Sequence, residues 1–353
     1  MEFAIQLSSD YPDKSYGGDR VYRDMIEQAV LADRLGFDAV SITEHHLMNV
    51  LMMPAPLIFA TKIAAHTKRI KILTSIVVLP LHDMRSFAGE IVVADIFTEG
   101  RLMLGVGRGA FKTEMEAMGV PMDETQDRFN ESLDVLQKLL TQEDVSYHGN
   151  YYNFPPLTVM PRPVRPINMM MAVMNPDGIH ACTKRGFHIQ TTPLAGNHQL
   201  LVDLVSAFTR ARDEMGPVGQ HLTLTLSRVA HLARTPAERQ QKLDAAEYYY
   251  SKFDNVFTGP GLIEAGMARP LPRAQSQSDL ADSLLICTPQ EMIDKLGPYA
   301  DLGINRVILN VNFGLEQQAT LDMLHHFAAD VMPHFTNRPA VVTPDPRTKE
   351  PAT

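Results

Sequence analysis

Cysteine is scarce in this sequence, and so are clustered basic residues and long apolar runs. Only Cys182 and Cys287 occur among the 353 residues. This excludes a disulfide-rich secreted scaffold and leads us to expect a reducing, cytoplasmic setting. No apolar run approaches the length that crosses a membrane. The segment from Met1 to Ile5 lacks the basic region of a signal peptide, so we expect none.

The excess of acidic residues narrows the range of partners. Asp and Glu number 41 against 32 Lys and Arg, a formal net charge of −9. Nucleic acids and anionic membranes are bound by clustered lysine and arginine, so we expect neither as a partner.

The length of the chain fits one large α/β barrel or two smaller domains, and a chain of this length can bury a large core without disulfides or metals. Composition therefore indicates a globular protein, most often an enzyme, but not which one.

Strand-like and helix-like segments alternate along the chain, which predicts parallel strands joined by right-handed crossovers. Eight such units favour a (β/α)8 TIM barrel over an open sheet. Apolar, β-branched runs predict strands at 3–7, 39–43, 70–79, 101–106, 167–173, 187–191, 222–230 and 306–311. Helical periodicity predicts helices at 20–35, 56–66, 87–97, 124–140, 177–185, 197–214, 236–253 and 315–331.

Two stretches interrupt the alternation. Residues 145–165 are rich in aromatic residues and proline, and we predict an insertion hairpin with an extended segment after the fourth unit. Residues 255–282 are rich in Gly, Pro, Ser and Gln, which is typical of an active-site lid, here before strand eight. The alternative is a merely mobile loop. We expect residues 1–335 to form a single domain and 336–353 a disordered tail.

The carboxyl ends of the barrel strands are where active sites form in this fold. Strand two is followed by Thr43-Glu44-His45-His46. Because successive side chains alternate, one histidine at most faces the barrel mouth. Such a histidine can act as a general base or stabilise a negative intermediate, and the alternative is a hydrogen-bonded histidine at the rim. The other histidines lack metal-site spacing, so we expect no metal.

Strands four and five are followed by segments suited to a phosphate. Arg108 lies in a glycine-rich stretch, Gly105 to Gly109, whose backbone can approach a ligand closely and whose guanidinium can clamp a phosphate. Its match to a dinucleotide fingerprint is weak, because that fingerprint belongs to the first β/α turn. Asn175 opens the helix after strand five, where free N–H groups bind phosphate. Asn175 can equally be an ordinary N-cap.

Taken together, these segments resemble the bacterial luciferase-like flavin-dependent monooxygenases. The resemblance runs from Met1 to about Phe335. The combination of Glu-His-His with Gly-x-Gly-Arg-Gly, in register, makes it specific, whereas each piece alone is weak. The matching segments are Gly36-Phe37-Asp38, Glu44-His45-His46, Val78-Leu79-Pro80, Gly100-Arg101-Leu102, Gly105-Val106-Gly107-Arg108-Gly109 and Val331-Met332-Pro333.

The resemblance implies an enzyme that receives reduced FMN from a separate flavin reductase. The reduced FMN reacts with O2 to give a C4a-peroxyflavin, which oxygenates a small apolar organic substrate such as an aldehyde or ketone. The resemblance places the catalytic histidine on His45 and a non-proline cis peptide between Ser75 and Ile76. It also implies a homodimer or heterodimer. The positions that it assigns to cofactor binding are Ser75, Ile76, Gly107, Arg108, Phe111, Met174, Asn175 and Gly178.

Three other functions are alternatives to this one. A related barrel transfers a hydride to or from a deazaflavin (F420) without O2, and the Glu-His-His signature favours the monooxygenase. A non-catalytic flavin-binding subunit would lack the catalytic histidine. A Rossmann dehydrogenase is disfavoured by the eight β/α units.

The walls of the site are also open to prediction. We expect an apolar mouth, built from Met48, Leu51, Met52 and Met53, to exclude water, with ordinary packing as the alternative. The sequence departs from the family after Pro80, where the expected arginine is displaced by one place to Arg85. It also lacks the arginine set that binds sulfonates, which disfavours an alkanesulfonate substrate.

Overall fold

The structure is a computed structural model that describes residues 1–7, 10–11, 13–193, 198–273 and 275–336. Its strands, in chain order, are β1 (Glu2–Gln6), β2 (Ala39–Ile42), β3 (Lys71–Thr74), β4 (Val77–Val78), β5 (Leu102–Gly107), β6 (Val145–His148), β7 (Asn153–Leu157), β8 (Met169–Ala172), β9 (His188–Thr191), β10 (Leu224–Leu232), β11 (Ile263–Glu264), β12 (Met267–Ala268), β13 (Leu285–Cys287) and β14 (Arg306–Asn310).

Helices follow most of the barrel strands and cover their outer faces. They are α1 (Gly18–Leu35), α2 (Pro56–His66), α3 (Met84–Phe97), α4 (Lys112–Ala117), α5 (Thr125–Thr141), α6 (Pro176–Lys184), α7 (His198–Met215), α8 (Pro236–Phe257), α9 (Gln277–Ser283), α10 (Pro289–Asp301), α11 (Gln317–Asp330) and α12 (Pro333–Thr336). Among these described helices, none combines the length and apolar character needed to cross a bilayer.

Parallel strands close into a barrel in the order β1, β2, β3, β5, β8, β9, β10 and β14, and β14 pairs with β1. This confirms the predicted TIM barrel, because each predicted strand corresponds to one of these. The predicted strand 70–79 is interrupted by a cis peptide between Ser75 and Ile76, after which β4 pairs with β5. Outside the ring, β13 pairs with the end of β10.

The core of the barrel has two layers because its strands are buried on both faces. A small inner cluster contains Ala4, Ala39, Leu73, Met170 and Ile308. The larger cluster fills the space between the strands and the surrounding helices. The framework around the mouth is therefore rigid, which suits a site built at the strand ends.

The two interruptions differ in how well the sequence predicted them. The insertion contains the predicted hairpin, in which β6 pairs antiparallel with β7. The lid stretch 255–282 has more structure than expected, since it holds the β11–β12 hairpin and most of α9. The β13–α10 unit was not predicted at all. The predicted tail began at residue 336, but Thr336 is the last residue of α12. The rest of that predicted tail, 337–353, lies outside the described residues. The assignment of 1–335 to a single domain stays a prediction.

Asn255 anchors the start of the predicted lid. Its side-chain Nδ2 donates to the carbonyl oxygens of Leu262 and Arg269, each at 2.9 Å. Its Oδ1 accepts the backbone N–H of Leu262 at 2.8 Å. Asn49 holds the hairpin from the other side, because its Oδ1 accepts the N–H of Ala268 at 2.8 Å. Buried amides thus tie this segment to α8 and to the loop after β2.

Candidate active site

A cavity of about 550 Å³ opens at the carboxyl ends of the barrel strands. That volume is in the range of sites for small organic ligands and cofactors, about 300–1,000 Å³. The structure brings the predicted site residues together around this one cavity, although their roles stay predictions. The lining includes His45, Ser75, Ile76, Gly107, Arg108, Phe111, Met174, Asn175 and Gly178.

His45 is held between a carboxylate and an aromatic ring. Its Nδ1 is 2.9 Å from Oε2 of Glu114, and its ring stacks on Phe111 with the centroids 4.2 Å apart. Glu114 is buried on α4, and its other oxygen accepts the backbone N–H of His46. In the neutral ring this contact favours a proton on Nδ1, which leaves Nε2 as the proton acceptor. His45 is thus oriented for proton transfer.

His46 is directed away from His45 and contacts Glu44, as the alternation of side chains predicts. Oε1 of Glu44 lies 2.9 Å from Nε2 of His46 and 2.8 Å from Nε2 of His82. Oε2 of Glu44 accepts the backbone N–H of Val78 at 2.7 Å. This carboxylate therefore fixes β4 directly after the cis peptide. In the described parts of the chain, no group of His, Cys, Asp and Glu side chains could hold a metal ion.

The surroundings of Glu44 favour its charged form. Burial raises the pKa of this carboxyl, but the hydrogen bonds with His46 and His82, the charge of His82 and the N–H of Val78 outweigh burial and lower the pKa to about 2. The hydrogen bond with Glu44 in turn raises the pKa of His46, against the effect of its partial burial. Glu44 is thus a buried anion that links β2 to β4.

Glu44→Gln is expected to lower the free energy of unfolding, and to lower it more at neutral pH than in acid. The pKa of Glu44 falls from 4.5 to about 2 in the folded state. The resulting stability of about 3 kcal/mol is present above about pH 4.5 and is lost as the pH falls through about 2. Urea unfolding of the variant should therefore lose this acid dependence. The exposed Glu90→Gln serves as control, and an unchanged pH profile in Glu44→Gln would contradict the assignment.

Arg108 lies at the exposed rim of the cavity, where its guanidinium contacts a hydroxyl group. Nη1 donates to Oγ1 of Thr125 at 3.0 Å, and no carboxylate of the described residues forms an ion pair with the guanidinium. After the neighbouring strand β8, Asn175 caps α6, since its Oδ1 accepts the N–H of Gly178 at 2.8 Å. Asn175 is thus an N-cap, one of the two alternatives, and its role toward a phosphate stays a prediction.

Gly107 brings β5 close to the cis peptide. A Cβ at this position would lie 2.1 Å from Cδ1 of Ile76, so a larger residue would force Ile76 to move. The hydroxyl of Ser75 is hydrogen-bonded by Nε2 of Gln190, from β9. These contacts fix the backbone of the cavity floor between β3 and β9.

Sequence reasoning missed a set of polar residues on the cavity floor. They lie at or next to the last residues of β1, β2, β9 and β14, and this position at the strand ends is the signal in the sequence that could have revealed them. A buried polar atom without a partner is costly unless a ligand or water satisfies it. Within this set, the side-chain atoms that have no hydrogen-bond partner among the described residues are Gln6 Nε2, Thr43 Oγ1, Gln190 Oε1, Thr191 Oγ1 and Asn310 Oδ1.

An aromatic wall closes the opposite side of the cavity. It consists of side chains from one helix, α8: Tyr249, Tyr250, Phe253 and Phe257. Of the four residues predicted to form an apolar mouth, one lies in the cavity lining. Leu51 does line the cavity, whereas Met48 and Met53 are buried in hydrophobic clusters and Met52 is not part of the lining.

Comparison with known proteins relates the chain to flavin and deazaflavin enzymes. A model of the luciferase-like monooxygenase family matches residues 1–306. The chain is 26% identical over 347 residues to the oxygenase component of flavin-dependent trigonelline monooxygenase from Acinetobacter baylyi, covering 95% of this chain and 96% of that protein. It is 23% identical to the F420-dependent glucose-6-phosphate dehydrogenase of Amycolatopsis mediterranei, covering 88% and 94%.

Solved structures share the fold. A monooxygenase from Streptomyces bottropensis superposes with a TM-score of 0.84 at 23% identity, covering 95% of this chain and 100% of that one. The oxygenating constituent of 3,6-diketocamphane monooxygenase from Pseudomonas putida, in complex with FMN, has a TM-score of 0.74 at 17% identity, covering 95% and 98%. At such identities the likeness concerns the barrel alone.

Proposed function

The chain belongs to the luciferase-like monooxygenase family, and we propose that it is the oxygenase component of a two-component flavin-dependent monooxygenase. Its cofactor is reduced FMN, which a separate flavin reductase supplies, and its co-substrate is O2. The observation that carries the proposal is the convergence of His45, the unpaired Arg108 and the start of α6 on one cavity. Relatives named as monooxygenases support the reaction class.

The residues around the cavity fit FMN. Val106 of β5 pairs in register with Met171 of β8, so the Arg108 loop and the start of α6 leave neighbouring strands side by side. A cation without a carboxylate partner and a helix N-terminus suit a phosphate dianion. The partnerless oxygens of Gln190 and Thr191 can accept N–H groups of a polar ring edge. When bound, reduced FMN supplies the two electrons that, with O2, oxygenate the substrate and release water.

The protein contributes proton transfer and exclusion of water. Nε2 of His45 is free to exchange a proton at the reacting centre because Nδ1 is occupied by Glu114. The aromatic wall on α8 keeps water from the same space, which limits unproductive decay of reactive oxygen species.

The second candidate is hydride transfer with a deazaflavin of the F420 type. The F420-dependent relative that covers 88% of this chain favours it. This alternative uses the same barrel and the same phosphate clamp, formed by Arg108 and the start of α6, but it requires no O2. The Glu-His-His sequence at 44–46 is our reason for preferring the monooxygenase.

Assembly and partners are part of the proposal. The relative named as an oxygenase component supports a reductase as the partner that delivers reduced flavin. A homodimer or heterodimer stays a prediction, and light scattering of the purified protein measures it directly.

The proposal is tested by supplying the purified protein with photoreduced FMN, O2 and a panel of aldehydes, ketones and organic acids. We expect a product that gains one oxygen atom by mass spectrometry. A parallel anaerobic reaction with the reduced deazaflavin should give no turnover. Deazaflavin-dependent turnover without oxygen gain would favour the second candidate instead.

A further inference from the structure

We infer that Arg228 binds an anionic group of the substrate, so that the enzyme acts on small organic acids with an aromatic or apolar body. The inference rests on the proposed function, because it takes the space beside Arg228 as the substrate side of the cavity. The inference restricts the class of substrates from small apolar molecules in general to those that carry a carboxylate.

Arg228 lies at the mouth of the barrel. It is on β10, where its register partner is Leu309, near the carboxyl end of β14. On the other side, pairing with β9 has already ended at Leu226 and Thr191. The side chain is half-buried and lines the cavity. Its position therefore matches the strand-end level at which ligands bind in this fold.

The guanidinium of Arg228 is only partly satisfied by the protein. Nη2 donates to the carbonyl oxygen of Ser283, while Nε is buried and has no partner among the described residues. No described carboxylate forms an ion pair with it. Arg273, which lies over the ring of nearby Tyr250, is by contrast paired with Asp254 at 2.7 Å. An unpaired, partly buried cation is costly, and an anionic ligand removes that cost.

The charges along the cavity leave room for an anion at Arg228. Among the described residues that line the cavity, the acidic one is Glu44. Its carboxylate is already hydrogen-bonded to His46, His82 and the N–H of Val78. Arg108 is the other cation of that lining. Since β8 and β9 separate its strand from β10, the two arginines approach from different sides of the barrel. One is available for the FMN phosphate and the other for the substrate.

The space beside Arg228 is suited to an apolar body. Tyr249, Tyr250, Phe253 and Leu284 line the same cavity, and the rings of Tyr249 and Phe253 stack with their centroids 6.0 Å apart. A planar guanidinium binds a carboxylate through two parallel hydrogen bonds, which fixes the direction of the attached group. Arg228 would therefore hold the acid end while the aromatic wall receives the rest of the molecule.

Calorimetry on the protein saturated with oxidised FMN tests this inference. The probes are benzoate, phenylacetate and hexanoate, each compared with its own amide. We expect at least one carboxylate to bind about tenfold or more tightly than its amide, and Arg228→Gln to abolish that preference. Arg228→Lys, which keeps the charge, should retain part of it. Arg210→Gln, on the exposed surface of α7, is the matched control.

The outcomes separate this inference from the proposed function. No preference for any carboxylate in the wild type overturns it, and so does a preference that survives in a folded Arg228→Gln variant. If Arg228→Gln does not fold, a carboxylate preference in Arg228→Lys that is weaker than in the wild type supports the inference, because an ammonium group cannot form the two parallel hydrogen bonds of a guanidinium, and an unchanged preference overturns it. Failure to bind FMN or to oxygenate any substrate would instead contradict the proposed function.

Discussion

Oxygenation by His45→Ala is expected to fall by about 10² to 10⁴-fold, the usual contribution of a positioned acid or base. FMN binding should stay close to that of the wild type, because His45 is fixed by Glu114 and Phe111 rather than by the phosphate clamp. The measurements are the rate of product formation at saturating substrate and a fluorescence titration with FMN. A large loss of rate with intact FMN binding assigns proton transfer to His45.

A control variant shows whether the loss of oxygenation is specific to His45 or follows from the replacement of any histidine. His326 is exposed on α11 and outside the cavity lining, so His326→Ala should behave like the wild type in both measurements. Full activity in His45→Ala would remove His45 from the reaction. Parallel loss of FMN binding would show that the residue acts through the structure of the site.

Arg108→Ala is expected to weaken FMN binding by about 10- to 100-fold, in line with the loss of a charge-assisted hydrogen bond. Riboflavin provides an internal control because it lacks the phosphate. The wild type should bind FMN more tightly than riboflavin, and the variant should lose most of this preference, since the N-terminus of α6 remains. The measurement is flavin fluorescence quenching with each ligand.

The side chain of Arg108 bonds Thr125 at the rim and supports no buried ion pair, so its removal should leave the fold intact. Arg210→Ala, at the exposed surface of α7, controls for the general loss of one positive charge. If Arg108→Ala keeps the wild-type preference for FMN over riboflavin, the phosphate lies elsewhere and the clamp is misassigned.

The barrel could be predicted because its parallel strands are buried on both faces. Such strands show up as short apolar runs that alternate with amphipathic helices. The β13–α10 unit was missed although Thr288 and Glu291 form a capping box at the start of α10. Both residues lie between the predicted lid, 255–282, and the predicted strand at 306–311, and eight β/α units complete a barrel without them.

Parts of the site could be predicted where the direction of a side chain depends only on the strand that carries it. The alternation at the end of β2 separates the roles of His45 and His46. Glu114, 69 residues from His45, could not be predicted, because its contact depends on how α4 folds back over the mouth. The same holds for the buried pair of Asp10 and Lys252, 2.9 Å apart and 242 residues distant in sequence, which joins the loop after β1 to α8.

We propose that O2 supplies an oxygen atom to the substrate at the cavity that holds His45, Arg108 and Arg228. A reaction of the purified protein with reduced FMN and substrate under ¹⁸O2 in unlabelled water, followed by mass spectrometry of the product, tests this proposal. We expect one ¹⁸O atom in the product. A product that carries oxygen from water, or that is oxidised without gaining oxygen, would contradict it.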